Sequence, residues 1–323
     1  MSRARLFGWA ALLAAAVVPL LAGDYWLYLL TLTGAYGVVA LGLNLLTGLS
    51  GQISLGHAGF FAIGAYVATV ATSKYGVPYL AATAMAIGAG WLIGLIIGFP
   101  AVRLRGLYLA IATLAFGIGV ERTIYHFKDL TGGPYGLAVN APSIFGYDFN
   151  SPTKLYYLVL VIVVLGVLYL SSVVNSRPGR MLVAMRDSEL AASSMGINVP
   201  RLKVLAFAVS AAFAALGGAL YAPIINFISV EHFTLWLSIT FISMIVVGGL
   251  GSITGSFLGA AFVVLVPELL RGFGAYHQII YGLAMILVFV FWPTGLVGIA
   301  ALLARRLPAA KRATPATGTV PPT

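Results

Sequence analysis

Between Asp24 and Lys74 no Asp, Glu, Lys or Arg interrupts the chain. Similar gaps run from Tyr75 to Val102, Leu155 to Ser176, Val204 to Val230, His232 to Pro267 and Gly272 to Ala304. A helix needs about 20 predominantly apolar residues to cross a bilayer core, so each gap can hold one or more spans. An average soluble domain carries about 25% charged residues; here 61% of residues are hydrophobic and 8% charged, which excludes a water-soluble fold. The fold expected is an all-α, polytopic transmembrane helical bundle.

Apolar runs and their breakers place spans near residues 6–23, 25–47, 58–73, 79–100, 107–125, 155–174, 204–225, 234–250, 257–270 and 278–297, ten in all. At about 1.5 Å per residue, 58–73 and 257–270 fall short of a ~30 Å core, and the count drops to eight if both are broken or re-entrant. Such backbone is tolerated only inside protein or along a water-filled cavity.

The chain has 18 Lys and Arg against 8 Asp and Glu, a net charge of +10. In a soluble protein that excess would suggest nucleic acid. Here the basic residues sit in short loops and at the ends, as in a positive-inside membrane protein, so membrane lipid and no nucleic acid is expected. With the N-terminus in the cytoplasm, Lys74, Arg122, Lys128, Lys154 and Arg271 fall outside and the remaining thirteen basic residues inside. Both termini are then cytoplasmic. Arg3 and Arg5 before the 6–23 run also fit a secretory signal peptide with a small-residue site near Ala22 and Gly23; the many later spans favour an uncleaved first helix. Cysteine is absent, which removes disulfides, thiolate metal sites and cysteine nucleophiles. One permease-sized domain over 1–304 is followed by a Pro-, Ala- and Thr-rich basic tail, 305–323, expected to be disordered.

Two loops are long enough for structure of their own, 127–153 outside and 175–203 inside. In the inner loop Leu182, Met185, Ala192 and Met195 recur at helical spacing, which predicts one short amphipathic helix. Pro178 and Gly179 break the preceding span, Gly196 is placed to end the helix, and Pro200 to stop it. Glu189, four residues after Met185, is expected to project among the apolar side chains and to favour a protein partner over a lipid surface. In the outer loop, Thr131 to Gly136 fits either a contact or a simple turn.

A Gly-rich break, Gly48 to Gly56, has a weak echo in Gly249 to Gly255, as in transporter cores with duplicated broken helices. Asn44, Gln52, Ser54 and His57 lie in or near the first break and are candidates for a translocation path. For His57 a structural role, hydrogen-bonding unwound backbone, competes with a functional one. A Ser54–His57 hydrolase would need an orienting group and an oxyanion hole, and no Gly-x-Ser-x-Gly elbow is present. Gly90, Gly94 and Gly98, and Gly255 with Gly259, permit close helix approach. Glu268 and Arg271 are spaced to meet on a helix face near an outer end; Glu121 and Arg122 are not, and both pairs read as snorkelling anchors. The scarcity of mid-span acids disfavours an ion-coupled secondary transporter, the competing class of function. No Lys follows a Gly, so no P-loop exists and any ATP hydrolysis belongs to a partner.

The inner loop resembles that of ABC importer permeases, whose coupling loop carries Glu-Ala-Ala followed by Gly. Ala191, Ala192 and Gly196 match, while Leu190 stands where the pattern has its acid and Glu189 is one residue early. More narrowly, the chain is similar to the LivM-type branched-chain amino acid permease family in Asn44–Phe60, Gly106–Gly117, Thr131–Gly136, the inner loop and Val247–Ser252, over about residue 35 to Gly298. It departs from many relatives in having Ile118 where they carry a Glu, its own acid coming at Glu121. The resemblance implies a non-catalytic subunit of a bacterial inner-membrane importer, without metal or cofactor, forming half the translocation path. Its implied partners are a second homologous permease, two ATPase subunits and an extracytoplasmic substrate-binding protein. Arg186, Asp187, Glu189, Ala191, Ala192 and Gly196 would form the ATPase-coupling loop. Related permeases for urea, short amides or other amino acids share the resemblance.

Overall fold

The computed structural model describes residues 13–292 and 294–298. The expected tail at 305–323, the start of the 6–23 segment and both termini lie outside these residues. Helices follow the apolar runs closely: α1 (13–21), α2 (Asp24–Leu43), α3 (His57–Ser73), α4 (Tyr79–Ala101), α5 (Leu107–His126), α6 (Lys128–Thr131), α7 (Pro152–Asn175), α8 (Arg177–Asp187), α9 (Glu189–Ser194), α10 (Val199–Ile225), α11 (Leu235–Gly248), α12 (Ile253–Leu269) and α13 (His277–Phe291). Among the described residues, five helical segments are long and apolar enough to cross a membrane: Asp24–Leu49, Tyr79–Ala101, Leu107–His126, Pro152–Asn175 and Val199–Ile225. The doubtful segments become α3 and α12, each 17 residues. At about 1.5 Å per residue that is roughly 25 Å, short of the hydrocarbon core.

Two helices form the centre. In α2 and α10, 78% and 72% of the apolar window is buried, against 28% in α4 and 22% in each of α5 and α7, which makes the latter three the outer layer. The reason is side-chain size. α10 is rich in Ala and Gly, and small residues let backbones approach where lipid provides no hydrophobic drive for association. A Cβ at Gly64 of α3 would sit 1.9 Å from the Ala215 carbonyl oxygen of α10, and one at Gly218 of α10 the same distance from that of Phe61. The Gly90, Gly94, Gly98 series lies against Ala215, Ala211 and Phe207 of α10, and Gly255 and Gly259 of α12 against Gly248 and Met244 of α11. An aromatic cluster of Tyr36, Phe61, Tyr221, Phe233 and Phe241 fills the end of this centre, with Tyr36 stacked on Tyr221 at 5.9 Å. Tyr156 of α7 ties α1 down by donating to the Ala15 carbonyl at 2.8 Å.

The purely helical expectation needs one correction. Strand β1 (Leu137–Ala138) pairs antiparallel with β4 (Phe227–Ile228), and β2 (Ser143–Ile144) with β3 (Tyr147–Asp148). The 131–136 stretch is a turn: Gly132, Gly133 and Gly136 have positive φ, and Thr131 donates its hydroxyl to the Ile124 carbonyl at 2.6 Å.

The inner loop needs another. It folds as two helices, because Ser188 is extended (φ −160°, ψ 110°) and its Oγ accepts from the Ala191 amide at 3.3 Å. A serine that caps one helix ends its predecessor. Pro178 occupies the first turn of α8, and Pro200 that of α10, where a missing N–H costs nothing. Both therefore start helices. Gly196 does take the left-handed conformation, φ +81°.

Glu268 and Arg271 pair at 3.3 Å, with Arg271 also donating to the Tyr25 hydroxyl at 3.1 Å. Such a solvent-reaching pair contributes less than about 1 kcal/mol. Glu268→Gln should therefore leave both the thermal midpoint and uptake near those of the parent; a strong loss of uptake would point instead to an acid relay.

Candidate functional site

The site is the interruption between α2 and α3. At Asn44 the helix widens into a π-helical turn, Asn44–Leu49, and the Ser50 and Gln52 amides reach back to the Leu45 and Leu46 carbonyls. Gly51 (φ +73°) then turns the chain into a non-helical stretch ending at Gly56. Side chains satisfy the freed backbone: the Leu55 amide donates to Thr113 Oγ1 of α5 at 2.9 Å, the Ala58 amide to Ser238 Oγ of α11 at 3.0 Å, and Thr47 Oγ1 to the Gln52 carbonyl at 3.1 Å. Apart from exposed Gly51 and Ile53, this unwound backbone is packed inside protein, the setting in which it is tolerated at membrane depth.

All four polar residues singled out from the sequence converge here, and all are buried. His57 bridges two hydroxyls, Ser54 Oγ at 3.0 Å from Nδ1 and Ser210 Oγ of α10 at 2.8 Å from Nε2. Gln52 Nε2 donates to Ser50 Oγ at 2.9 Å and, at 3.5 Å, to the Lys203 carbonyl. Asn44 spans to the second Gly-rich break: its Oδ1 accepts from the Gly251 amide at 2.6 Å, and its Nδ2 donates to the Ser252 carbonyl at 2.9 Å and to Ser256 Oγ at 3.0 Å. The two echoing segments are thus in direct contact. The cavity beside Asn44 measures about 10 Å³. These side chains hold the break together. Larger cavities lie elsewhere, about 620 Å³ between the α3–α4 turn and residues 140–146, and about 700 Å³ in an apolar groove between α4, α7 and α10.

Against the same end of the bundle rests the two-helix loop. Arg186 of α8 donates from Nη1 to the Gly48 carbonyl at 2.9 Å, while its Nε and Nη2 hold Asp187 Oδ1 at 3.2 and 3.1 Å. Glu189 does not project among apolar side chains as expected. Its carboxylate pairs with Lys203 of α10 at 2.5 Å and with Arg105, in the α4–α5 connection, at 3.1 Å. Ala192 is buried, whereas Ala191 and Gly196 are exposed. Leu190, and Met195, which the spacing placed on one face with Leu182, Met185 and Ala192, are each 80% exposed, while those three are buried.

Sequence reasoning missed the groups on other helices that complete the site: Thr113, Ser210, Ser238 and Ser256, and Lys203, which is only 4% exposed. Isolated hydroxyls in otherwise apolar spans were the available signal for the first four; nothing local marks Lys203 as buried.

Comparison with known proteins gives a consistent neighbourhood. A family described as the branched-chain amino acid transport system permease component matches residues 25–289. The high-affinity branched-chain amino acid transport system permease protein LivM of Salmonella typhimurium is 34% identical over 316 residues, covering 90% of this chain and 74% of that protein. The LivM protein of Escherichia coli is 35% identical with the same coverage. The LivH permease protein of Escherichia coli is 26% identical over 83% of this chain and 92% of its own length. No solved structure matches.

Proposed function

Because the chain belongs to the branched-chain amino acid transport permease family, we propose that it is one membrane-spanning subunit of an ATP-driven ABC importer for leucine, isoleucine and valine. It is a multi-pass membrane protein, seated in this reading in a bacterial inner membrane with both termini in the cytoplasm. A second, homologous permease completes the path, two ATPase subunits supply the energy, and an extracytoplasmic binding protein delivers the substrate. The likeness to both LivM and LivH proteins supports a paired arrangement.

The observation that carries the coupling assignment is the outer face of the two-helix loop. Leu190 and Met195 are 80% exposed beside Ala191 and Gly196, on a segment held to the bundle by Arg186 and Glu189. Large apolar side chains on a water-facing, rigidly held loop fit a helix-in-groove contact with a partner. Break residues Asn44, Gln52, Ser54 and His57 act as the hinge of the path wall.

Leu190→Asp and Gly196→Asp test the contact. A Cβ at Gly196 meets nothing within 4 Å, but φ +81° strains any L side chain there, so Leu190→Asp carries the test and Gly196→Asp is read beside it only with insertion and thermal midpoint matching the parent. Both should weaken retention of the ATPase in detergent by about tenfold or more, the equivalent of ~1.4 kcal/mol, with uptake falling in parallel. Normal uptake would sink the coupling assignment. Uptake of labelled leucine compared with urea and short amides, in vesicles holding the complete importer, decides the substrate class.

A further inference from the structure

The geometry points to Arg186 as a positioning residue that transmits movement of the cytoplasmic loop to the intramembrane break by its hydrogen bond to the Gly48 carbonyl. This rests on the importer reading and adds to it a contact on the bundle side of the loop: the partly exposed guanidinium reaches the Gly48 carbonyl, while Leu190 and Met195 are exposed.

Three features make the contact a strut. First, the side chain is fixed at both ends: Asp187 holds Nε and Nη2, which leaves Nη1 for Gly48 O at 2.9 Å. Second, the stem has a seat. Gly51 lies beneath it, and a Cβ there would come within 3.0 Å of Arg186 Cγ. Third, the carbonyl it grips belongs to the residue where the two breaks meet, since a Cβ at Gly48 would lie 2.4 Å from the Gly251 amide nitrogen. Displacement of α8 therefore bears on the π-helical turn and, through Gly251 and the Asn44 carboxamide, on the Gly249–Ser252 break. Packed elements of this kind shift between discrete arrangements, so a small movement at one face is carried to the other. A parallel route runs from α9 through Glu189 and Lys203, whose own carbonyl accepts from Gln52. That route fixes where the loop sits; the Arg186 contact alone reaches the carbonyl at the junction of the breaks.

The experiment uses the complete importer in nanodiscs. The chain has no cysteine, so Ile53→Cys, at an exposed position in the break, gives this chain a single thiol, and maleimide labelling is read on its own band after denaturing electrophoresis. In the parent, labelling at residue 53 should change at least about threefold between nucleotide-free and vanadate-trapped states. Arg186→Ala should keep the ATPase bound, abolish that nucleotide-dependent change, and lower uptake roughly tenfold, as expected for loss of one charge-assisted contact between two sites. Asp187→Asn, which frees the guanidinium without removing it, should give a smaller effect in the same direction; both variants should still insert and unfold cooperatively, Arg186→Ala at a somewhat lower midpoint because the Gly48 carbonyl loses a partner. Parent-like labelling and uptake in Arg186→Ala overturn the proposal. So does loss of ATPase retention in proportion to uptake, which would make Arg186 a docking contact. If the parent complex retains no ATPase, the importer reading itself fails and takes the transmission role with it.

Discussion

Valine in place of Gly48 should cost about 4 kcal/mol or more of stability and leave no measurable uptake. A Cβ at this position falls 2.1 Å from Asn44 Oδ1, 2.4 Å from the Gly251 nitrogen and 3.0 Å from Gly251 Cα. Two of these are backbone atoms, so no rotamer change relieves the overlap. If Asn44 yields instead, it releases the Gly251 amide, the Ser252 carbonyl and Ser256 Oγ, to which it bonds at 2.6, 2.9 and 3.0 Å. A buried polar group left without a partner, as Ser256 Oγ would be, costs about 1–3 kcal/mol, and the half-buried Gly251 and Ser252 groups add less. Gly119→Ala is the matched control, since a Cβ there meets nothing within 4 Å. Thermal unfolding in detergent with uptake in vesicles checks the pair; a Gly48→Val protein that melts and transports like the control removes the two-break junction from the site.

That junction shows where sequence reasoning stops. Both Gly-rich breaks were visible, as was the likeness between them, because Gly clusters after long apolar runs mark places where helices end. Their contact was not, since it joins residues 207 positions apart through one asparagine. Apolar runs placed the helices well because length and charge are properties of each segment alone. The count of spans is a different matter, since α3 and α12, at 17 residues each, are shorter than a crossing needs. In the inner loop, the apolar spacing through Leu182, Met185, Ala192 and Met195 continued past Ser188 and hid a cap that breaks the helix. Strands of two residues are too short to show alternation, so the small pairs in the outer loop left no trace. Glu189 was read from the face of a helix that does not run through it, and its true surroundings come from α10 and the α4–α5 connection.

Glu189→Gln should destabilise the protein by about 2 kcal/mol, and Lys203→Met in the same chain should recover most of that loss. The Lys203 side chain is 5% exposed, and its Nζ lies 2.5 Å from Glu189 Oε1. Removing one partner of a buried pair leaves an uncompensated charge, a penalty of about 3–5 kcal/mol when both groups are buried. Glu189 is 32% exposed, so water reaches the vacated site and the smaller figure applies. Arg105 contributes little, because at 78% exposure it regains solvent once the carboxylate is gone. Lys203→Met alone should cost less than Glu189→Gln, because the carboxylate keeps Arg105 and water. Thermal midpoints of the four proteins give the coupling; strictly additive changes mean that no pair exists. Uptake then separates holding from moving. The double variant regains an anchored fold through apolar packing but has no ionic link from α9 to α10, while the Arg186 contact is untouched. If that contact is the transmitting strut, uptake should return along with stability. Recovery of the midpoint without uptake would instead place the transmitting link at Glu189 and Lys203.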